Sequence, residues 1–503
     1  MGIAVSARSG APLYEQIYAA VRDAIVGGSL RPGAKIASTR ALAAELSVSR
    51  FTAVTAVERL LAEGYLTSRA RSGLFVAATI PEQRMRAVAS RGSARAAGAG
   101  GRAPELSQRG TALSAVVITG PRSEEGPRPF HPRRPALDAF PIRLWTRLLA
   151  RHWRTGGAAA LDYGDPAGYA PLREAIAAHI GVSRGVRCAP HQIVVTSGAQ
   201  QAFDMLFRIL LDPGDQVWME DPGYLDVRAA LVGAGAAIVP VPVDDGGIDV
   251  DAGIRRAPRA RLAVVSPSHQ YPSGATLAAP RRAALLDWAR GAGAWVVEDD
   301  YDCYFRYRGR PLPALQRFDA ESTHGGAGRV IYVGTFSKTM FPSLRLGFCI
   351  VPEPLVDAAV NARAVASRNA PLADQAALAA FIAEGHYDRH LRRARLIYQE
   401  RHEAMRAAFA RELAGVLSLL PAAAGTHVVA RFVGRHGRAR GASAPVRVAR
   451  AAAADGLVAF PLSRYCLEPP AEDALVLGYG AITPRRIAAG AAKLGRVIER
   501  TSG

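Results

Sequence analysis

Apolar residues recur along the first 77 positions with a helical period. Leu13, Ile17, Val21 and Ile25 fall four apart and stop at Gly27-Gly28, which predicts an amphipathic helix closed by glycine. Ser38 opens a second, short helix with Leu42 and Leu46 turned inward. Ser47-Val48 make a turn, and Ser49 opens a third helix with Val54, Val57, Leu60 and Leu61 on its apolar side, ended by Gly64. The pattern then changes to two short strand-like pieces, Tyr65–Ser68 and Leu74–Val76, around an Arg69–Gly73 turn. Residues 10–78 therefore predict a helix, a helix-turn-helix and a two-stranded wing.

Residues 79–126, with the run RAVASRGSARAAGAGGRAPELSQRG, hold no apolar period and predict a flexible linker. From 127 to 503 apolar runs alternate with amphipathic helical stretches. The runs are Ile193–Thr196, Val217–Met219, Leu262–Ser266, Trp295–Val297, Val330–Val333 and Leu346–Val351. Such alternation predicts an α/β domain with a mainly parallel sheet and helices on both faces.

Composition narrows the class. A chain of 503 residues with 49% hydrophobic content calls for at least two globular cores. No stretch reaches the ~18 consecutive apolar residues of a membrane span. The N-terminal MGIAVSARSG lacks an apolar signal core, so a cytoplasmic location is the default expectation. Cys188, Cys303, Cys349 and Cys466 are unpaired in spacing and the eleven histidines form no ligand cluster, so neither a disulfide frame nor a metal site is expected. The net charge of +20 is compatible with a polyanionic partner, although a bias toward Arg and Ala accounts for part of it. More telling, only Lys35, Lys338 and Lys493 are lysines among 63 basic residues. Arginine replaces lysine where charge alone matters, but a guanidinium does not form an imine.

In a helix-turn-helix the second helix presents its N-terminal side chains to base edges in the major groove. Here those are Ser49, Arg50, Phe51 and Thr52. Arg50 suits guanine or a phosphate, Arg40 on the preceding helix suits the backbone, and Arg69, Arg71 and Gly73 form the wing tip. The bland alternative is a helical dimerisation cap with solvated arginines. The elements LRPGAKI, STRALAAELSVSR and EGYL…SGLFV resemble the winged helix-turn-helix of the GntR family over about 65 residues. Ala37 stands where that family favours Pro, and Phe51 where it favours a small polar residue. The resemblance implies double-stranded DNA as a partner.

Four motifs in the large domain carry chemistry. Ile193–Thr196 runs into Ser197-Gly198-Ala199-Gln200 before a helix expected from Gln201, a junction that aims backbone amides at an anion. EDPGY ends in Tyr224 beyond a strand, where an aromatic face can cover a flat ring. VVEDDYDCYFRY puts Asp299 and Tyr301 just past Trp295–Val297, at the carboxyl edge where open α/β sheets bind ligands. YVGTFSKTMFPSLRLGF carries Thr335, Ser337, Lys338 and Arg345. An amine, a carboxylate, an aromatic face and an anion cradle together are what pyridoxal 5'-phosphate requires.

Residues 127–500 resemble a fold-type I, aspartate-aminotransferase-like domain with a smaller C-terminal subdomain, and the fusion resembles the MocR subfamily of GntR regulators. The resemblance implies that Lys338 is the Schiff-base lysine, Asp299 pairs with the pyridine nitrogen and Tyr301 bonds the 3-hydroxyl. It implies that Tyr224 stacks on the ring and that Ser197, Gly198, Ala199, Gln200, Thr335 and Arg345 hold the phosphate. SPSHQYPSG is similar to the loop that carries an Asn near the 3-hydroxyl; Tyr271 stands there, with His269 and Gln270 as neighbours able to share that role. LDYGDPAGYAPLREAI resembles the segment that lends a tyrosine to the partner's phosphate site, which nominates Tyr163 and a homodimer. Arg133 stands where the family favours Gly, and Ala481 where aminotransferases keep a substrate-carboxylate arginine.

The expected function is a cofactor-dependent, DNA-binding regulator that senses an amine, an amino acid or pyridoxal phosphate itself. Two other readings stand beside it: a working aminotransferase with an accessory DNA module, and a DNA-binding protein with a decayed cofactor fold. Lys338, Asp299 and Arg345 speak against the last, Ala481 against productive transamination.

Overall fold

The computed structural model describes residues 5, 10–69, 72–80, 105–116, 128–307, 309, 312–322, 328–434 and 443–502. The chain divides into two compact units, Met1–Glu105 and Leu106–Gly503. No helix among the described residues is long and apolar enough to cross a membrane.

In the first unit α1 (Leu13–Val26), α2 (Thr39–Glu45) and α3 (Arg50–Ala62) pack through Ile17, Val21, Ile25, Leu42, Val57 and Leu60. The buried stripe of α3 is Ala53, Ala56, Val57 and Leu60. Val54, expected inward, is only half-buried, because the small alanines let α3 lie close to its neighbours. Ser47 makes the turn in the left-handed region, at φ 52°. The wing differs from expectation: β1 (Lys35–Ile36), β2 (Leu66–Arg69) and β3 (Gly73–Val76) form a three-stranded sheet with β3 in the middle. Two residues leave too short a pattern to read in sequence, and the ladder to β3 alone defines β1.

Within the stretch expected to be a linker, Gln108–Ser114 form a helix, α4. Ser107 Oγ accepts the Gly110 N–H at 3.0 Å. Leu113 reaches Gly233, where an added Cβ would lie 3.4 Å from its Cδ2. A single leucine on a glycine leaves no periodic signature.

The second unit carries an eight-stranded sheet of β4 (Ile193–Thr196), β5 (Gln216–Asp221), β6 (Ala237–Asp244), β7 (Gly247–Ile248), β8 (Leu262–Val265), β9 (Trp295–Asp300), β10 (Val330–Thr335) and β11 (Gly347–Ile350). The order is β4-β11-β10-β9-β8-β5-β6-β7. The central run from β10 to β6 is parallel, and β11 and β7 run antiparallel to their neighbours. Successive side chains go to opposite faces. Ile193, Val195, Tyr332 and Phe348 meet the helices of residues 142–184 and 372–383, whereas Val194, Ile331, Val333 and Cys349 meet those of 199–234. Trp218 stacks on Trp288 with ring centroids 3.7 Å apart, and its Nε1 donates to the Ala257 carbonyl at 2.9 Å. A smaller antiparallel sheet, β12 (Leu417–Leu419), β13 (His427–Phe432), β14 (Phe460–Pro461) and β15 (Ala474–Gly478), packs with the helices His386–Glu412 and Pro484–Ser502.

One ion pair ties these layers beneath the carboxyl edge. Arg184 Nε donates to Asp300 Oδ2 at 2.7 Å, and both side chains are 2% exposed. Tyr332 Oη donates to the same oxygen at 2.7 Å, and Arg184 Nη2 donates to Ser268 Oγ at 2.6 Å. Removing one partner strands a buried charge, so Arg184→Met is expected to cost about 3–5 kcal/mol in urea unfolding of the full-length protein. Adding Asp300→Asn to that variant is expected to recover part of the loss. A cost under about 1 kcal/mol would mean that the pair is solvated after all.

Candidate functional site

In the N-terminal unit the first turn of α3 sorts its side chains into two roles. Ser49 Oγ accepts the Thr52 N–H at 3.1 Å and lies 2.7 Å from Thr52 Oγ1. Ser49 and Thr52 thus cap the helix against each other. Arg50 and Phe51 are left facing solvent, Phe51 at 80% exposure, and Arg40 on α2 is exposed as well. In the wing the Arg69 guanidinium lies 4.7 Å over the Phe75 ring. Gly73 turns at φ 109°, where an added Cβ would stand 3.3 Å from Lys35 Cε. Arg71 lies outside the described residues.

In the second unit the site grows from the parallel register of β9 and β10, which sets Asp299 beside Val333. β10 ends at Thr335, whose Oγ1 accepts the Ser337 N–H at 3.2 Å, and Lys338 follows. Lys338 is partly open to solvent but densely surrounded, and its Nζ donates to the Arg133 carbonyl at 2.9 Å. Desolvation, then the Arg133 charge, lowers its pKa to about 7, against the pull of Asp302, Asp226 and Asp299. The free base, which is the nucleophile, is therefore well populated at neutral pH.

β9 extends to Asp300, so Asp299 lies within the strand and Tyr301 immediately beyond it. The Asp299 carboxylate is buried and meets no hydrogen-bond donor among the described residues. Burial, then Asp300, Glu220 and Asp302, push its pKa well up. A cation placed there would reverse that cost, which is what a protonated pyridine nitrogen offers. Tyr301 Oη lies 3.0 Å from His269 Nδ1, and that nitrogen lies 2.9 and 3.0 Å from the two oxygens of Asp302.

Across the site Tyr224 Oη donates to Asp226 Oδ2 at 2.8 Å. Arg133 Nη2 donates to Tyr224 Oη at 2.7 Å and also meets Asp226 Oδ2, while Nη1 donates to Asp226 Oδ1 at 3.2 Å. The Arg133 guanidinium lies 5.1 Å over the Tyr224 ring. Gln200 Nε2 donates to the Asp226 carbonyl at 2.8 Å. Tyr271 is buried edge-on to both Tyr224 and Tyr301, and its hydroxyl donates to Tyr465 Oη at 3.1 Å. Gln270 turns instead to Glu220, the Pro222 carbonyl and Ser273. Tyr271 meets Tyr301 only ring to ring, whereas His269 lies within hydrogen-bond distance of its hydroxyl.

The candidate anion cradle is tightly built. The helix α5 begins at Ala199, not Gln201, with Gly198 at φ 87° as its cap (Ala199–Leu210). Arg345, itself at φ 51°, donates from Nη2 to the Ser197 carbonyl at 2.9 Å. A Cβ on Gly198 would lie 2.9 Å from Arg345 Nη2, and one on Gly347 would lie 2.8 Å from the Gly198 carbonyl carbon. An exposed guanidinium beside a helix N-terminus suits a phosphate. Tyr163 stands apart, 77% exposed, with the Arg368 guanidinium 4.9 Å over its ring. Ala481 follows Gly480, whose carbonyl accepts from Arg401, and Arg401 Nη2 donates to Asp138 Oδ2 at 2.6 Å.

Sequence reasoning missed Asp226 and Asp302. Asp226 sits two residues after Tyr224 and gives no signal until Arg133 folds onto it. Asp302 was visible in EDDYDCYF only as one of several acids.

The family model for bacterial regulatory proteins of the gntR family matches residues 13–76, and that for aminotransferase class I and II matches 149–435. The probable rhizopine catabolism regulatory protein MocR of Rhizobium meliloti is 41% identical over 95% of this chain and 92% of its own. The HTH-type pyridoxine biosynthesis transcriptional regulator PdxR of Corynebacterium glutamicum is 30% identical over 79% of each chain. Among solved structures, the α-aminoadipate aminotransferase LysN of Thermus thermophilus, complexed with N-(5'-phosphopyridoxyl)-L-leucine, is similar with a TM-score of 0.67 and 29% identity. That match covers 74% of this chain and 92% of LysN.

In protein stripped of any bound cofactor, labelling of Lys338 by a small amine-reactive reagent is expected to rise with pH and reach half its maximum near pH 7, read by peptide mass spectrometry. The sign follows from protonation: the reactive free base is lost as pH falls through the lowered pKa. A midpoint near the ordinary lysine value of about 10.4 would refute the desolvated site.

Proposed function

Because the chain belongs to the MocR subfamily of GntR-type transcription regulators, in which a winged helix-turn-helix is joined to an aminotransferase class I and II domain, we propose that it regulates transcription by binding double-stranded DNA under the control of pyridoxal 5'-phosphate and an amine or amino-acid effector. The aminotransferase family works with pyridoxal phosphate. When bound, that group supplies an electrophilic carbon that condenses with amines. On this reading Lys338 holds it covalently and Asp299 receives its ring nitrogen. Tyr224 and Tyr271 flank the ring, Tyr301 meets the 3-oxygen, and Ser197, Gly198, Ala199, Gln200, Thr335 and Arg345 receive the phosphate. Tyr163 completes the partner's phosphate site in a homodimer.

The observation that favours sensing over turnover is the state of the arginines. Position 481 is alanine, and the Arg133 guanidinium is already engaged by Asp226 and Tyr224. An amine can exchange onto the cofactor without a carboxylate clamp, whereas efficient transamination needs the substrate held with its Cα–H bond perpendicular to the ring. Ligand-dependent domain movement would then change the spacing of the two DNA modules of a dimer. The relative named for pyridoxine biosynthesis supports pyridoxal phosphate itself as a signal.

The purified protein is expected to be yellow, and borohydride is expected to fix a pyridoxyl group on Lys338. Lys338→Ala and Lys338→Arg should yield no such adduct; an adduct in either removes the assignment. DNA affinity should fall steeply with salt. Arg50→Ala should cost about 1–3 kcal/mol of binding with relaxed sequence preference, and an equal loss on every sequence would demote Arg50 to a phosphate contact. DNA footprints taken with and without pyridoxal phosphate and a panel of amines test the coupling. Rapid multiple-turnover transamination with no ligand effect on the footprint would favour the tethered-enzyme reading.

A further inference from the structure

Beside Tyr301 lies a buried pair to which the proposed function gives no task of its own. The His269 and Asp302 side chains are 3% and 2% exposed, and both carboxylate oxygens lie within 3.0 Å of His269 Nδ1. A carboxylate against a bare ring nitrogen would set lone pair on lone pair, so the network assigns the hydrogen to Nδ1. Tyr301 Oη is 3.0 Å from that same Nδ1–H and cannot donate to it. It accepts a share of the hydrogen, and its own proton points elsewhere.

The ring is held there at some cost. His269 Nε2 is buried without a hydrogen-bond partner among the described residues, a rare condition for a polar atom. Two glycines make room: a Cβ on Gly425 would lie 2.2 Å from His269 Cε1, and one on Gly274 would lie 3.3 Å from Nε2. His427 lies beside it with ring centroids 5.3 Å apart, and burial, then His269, pushes its pKa down to about 3, so it carries no charge at neutral pH. The other ionisable groups around Tyr301 are Tyr271, Asp299 and Glu220, and Lys338 acts in turn on Asp299.

We propose that Asp302 and His269 are positioning residues that orient the Tyr301 hydroxyl, so that its hydrogen is donated to the 3-oxygen of bound pyridoxal phosphate. The proposal rests on the cofactor reading above. Donation from Nδ1–H into the Tyr301 oxygen polarises the O–H and makes it the stronger donor. The consequence is a lowered pKa for the imine on Lys338. With the group bound, a donor held on its 3-oxygen by these residues would stabilise negative charge there and so favour the unprotonated form.

The test is the absorbance of the loaded, full-length protein as a function of pH. Tyr301→Phe is expected to raise the imine pKa by about one pH unit, the effect of one lost hydrogen bond. Asp302→Asn and His269→Phe should each raise it by part of that amount, and neither should add to Tyr301→Phe in the double variants. His269→Asn, whose amide N–H can occupy the place of Nδ1–H, should return the pKa toward wild type. Through charge alone, loss of the Asp302 carboxylate would lower the imine pKa, so the sign separates orientation from electrostatics. A fall or no change in Asp302→Asn, or an equal rise on the Tyr301→Phe background, overturns the proposal while leaving the cofactor assignment intact. If Asp302→Asn does not fold, the contrast between His269→Phe and His269→Asn decides it. Wild-type protein that takes up no pyridoxal phosphate overturns both readings.

Discussion

The parallel pairing of β9 with β10 puts Asp299 opposite Val333, and so brings the end of one strand to the turn that carries Lys338. Everything at the site depends on that register, because a slip by one residue would turn Asp299 to the other face of the sheet. Once there, the groups desolvate one another. The lysine amine loses basicity, and the Asp299 carboxyl, ringed by Asp300, Asp302 and Glu220, loses acidity. Two groups that would be solvated ions elsewhere are thus held close to neutrality, which is the basis for the ligand proposed above.

Such a cluster of acids needs support from below. Asp300 is compensated by Arg184, Tyr332 and, through Arg184, Ser268. Burial lifts Glu220 to about 7, and it accepts from the Ser266 N–H and Gln270. Asp302 is matched by His269. Among the described residues Asp299 is the one of these four carboxyls that meets no donor. On the opposite wall Arg133 is locked to Asp226 and Tyr224, so the cation nearest Lys338 is internally balanced.

The helix-turn-helix rests on simpler physics. Capping by Ser38 and Ser49 fixes where α2 and α3 begin, and small alanines along α3 let it pack closely. The same capping engages Thr52, which leaves Arg50 and Phe51 as the exposed groups at the start of the helix.

The sequence by itself determined the helix order of the first unit and the principal strands of the large sheet, since burial leaves a 3.6-residue stripe along a helix and an unbroken apolar run along a strand covered on both faces. It also singled out Lys338 as the candidate imine-forming residue, because where arginine supplies nearly all the positive charge, a lysine just after a strand points to its amine rather than its charge. Tertiary structure alone decided what pairs with what. Arg133 meets Asp226 across 93 positions, and His269 meets Asp302 and Tyr301 across more than 30. It likewise decided β1, two residues defined by their ladder to β3, and α4, which turns a single leucine onto Gly233. Local spacing records which face of an element is buried; it holds no record of the partner that comes to meet that face from another part of the chain.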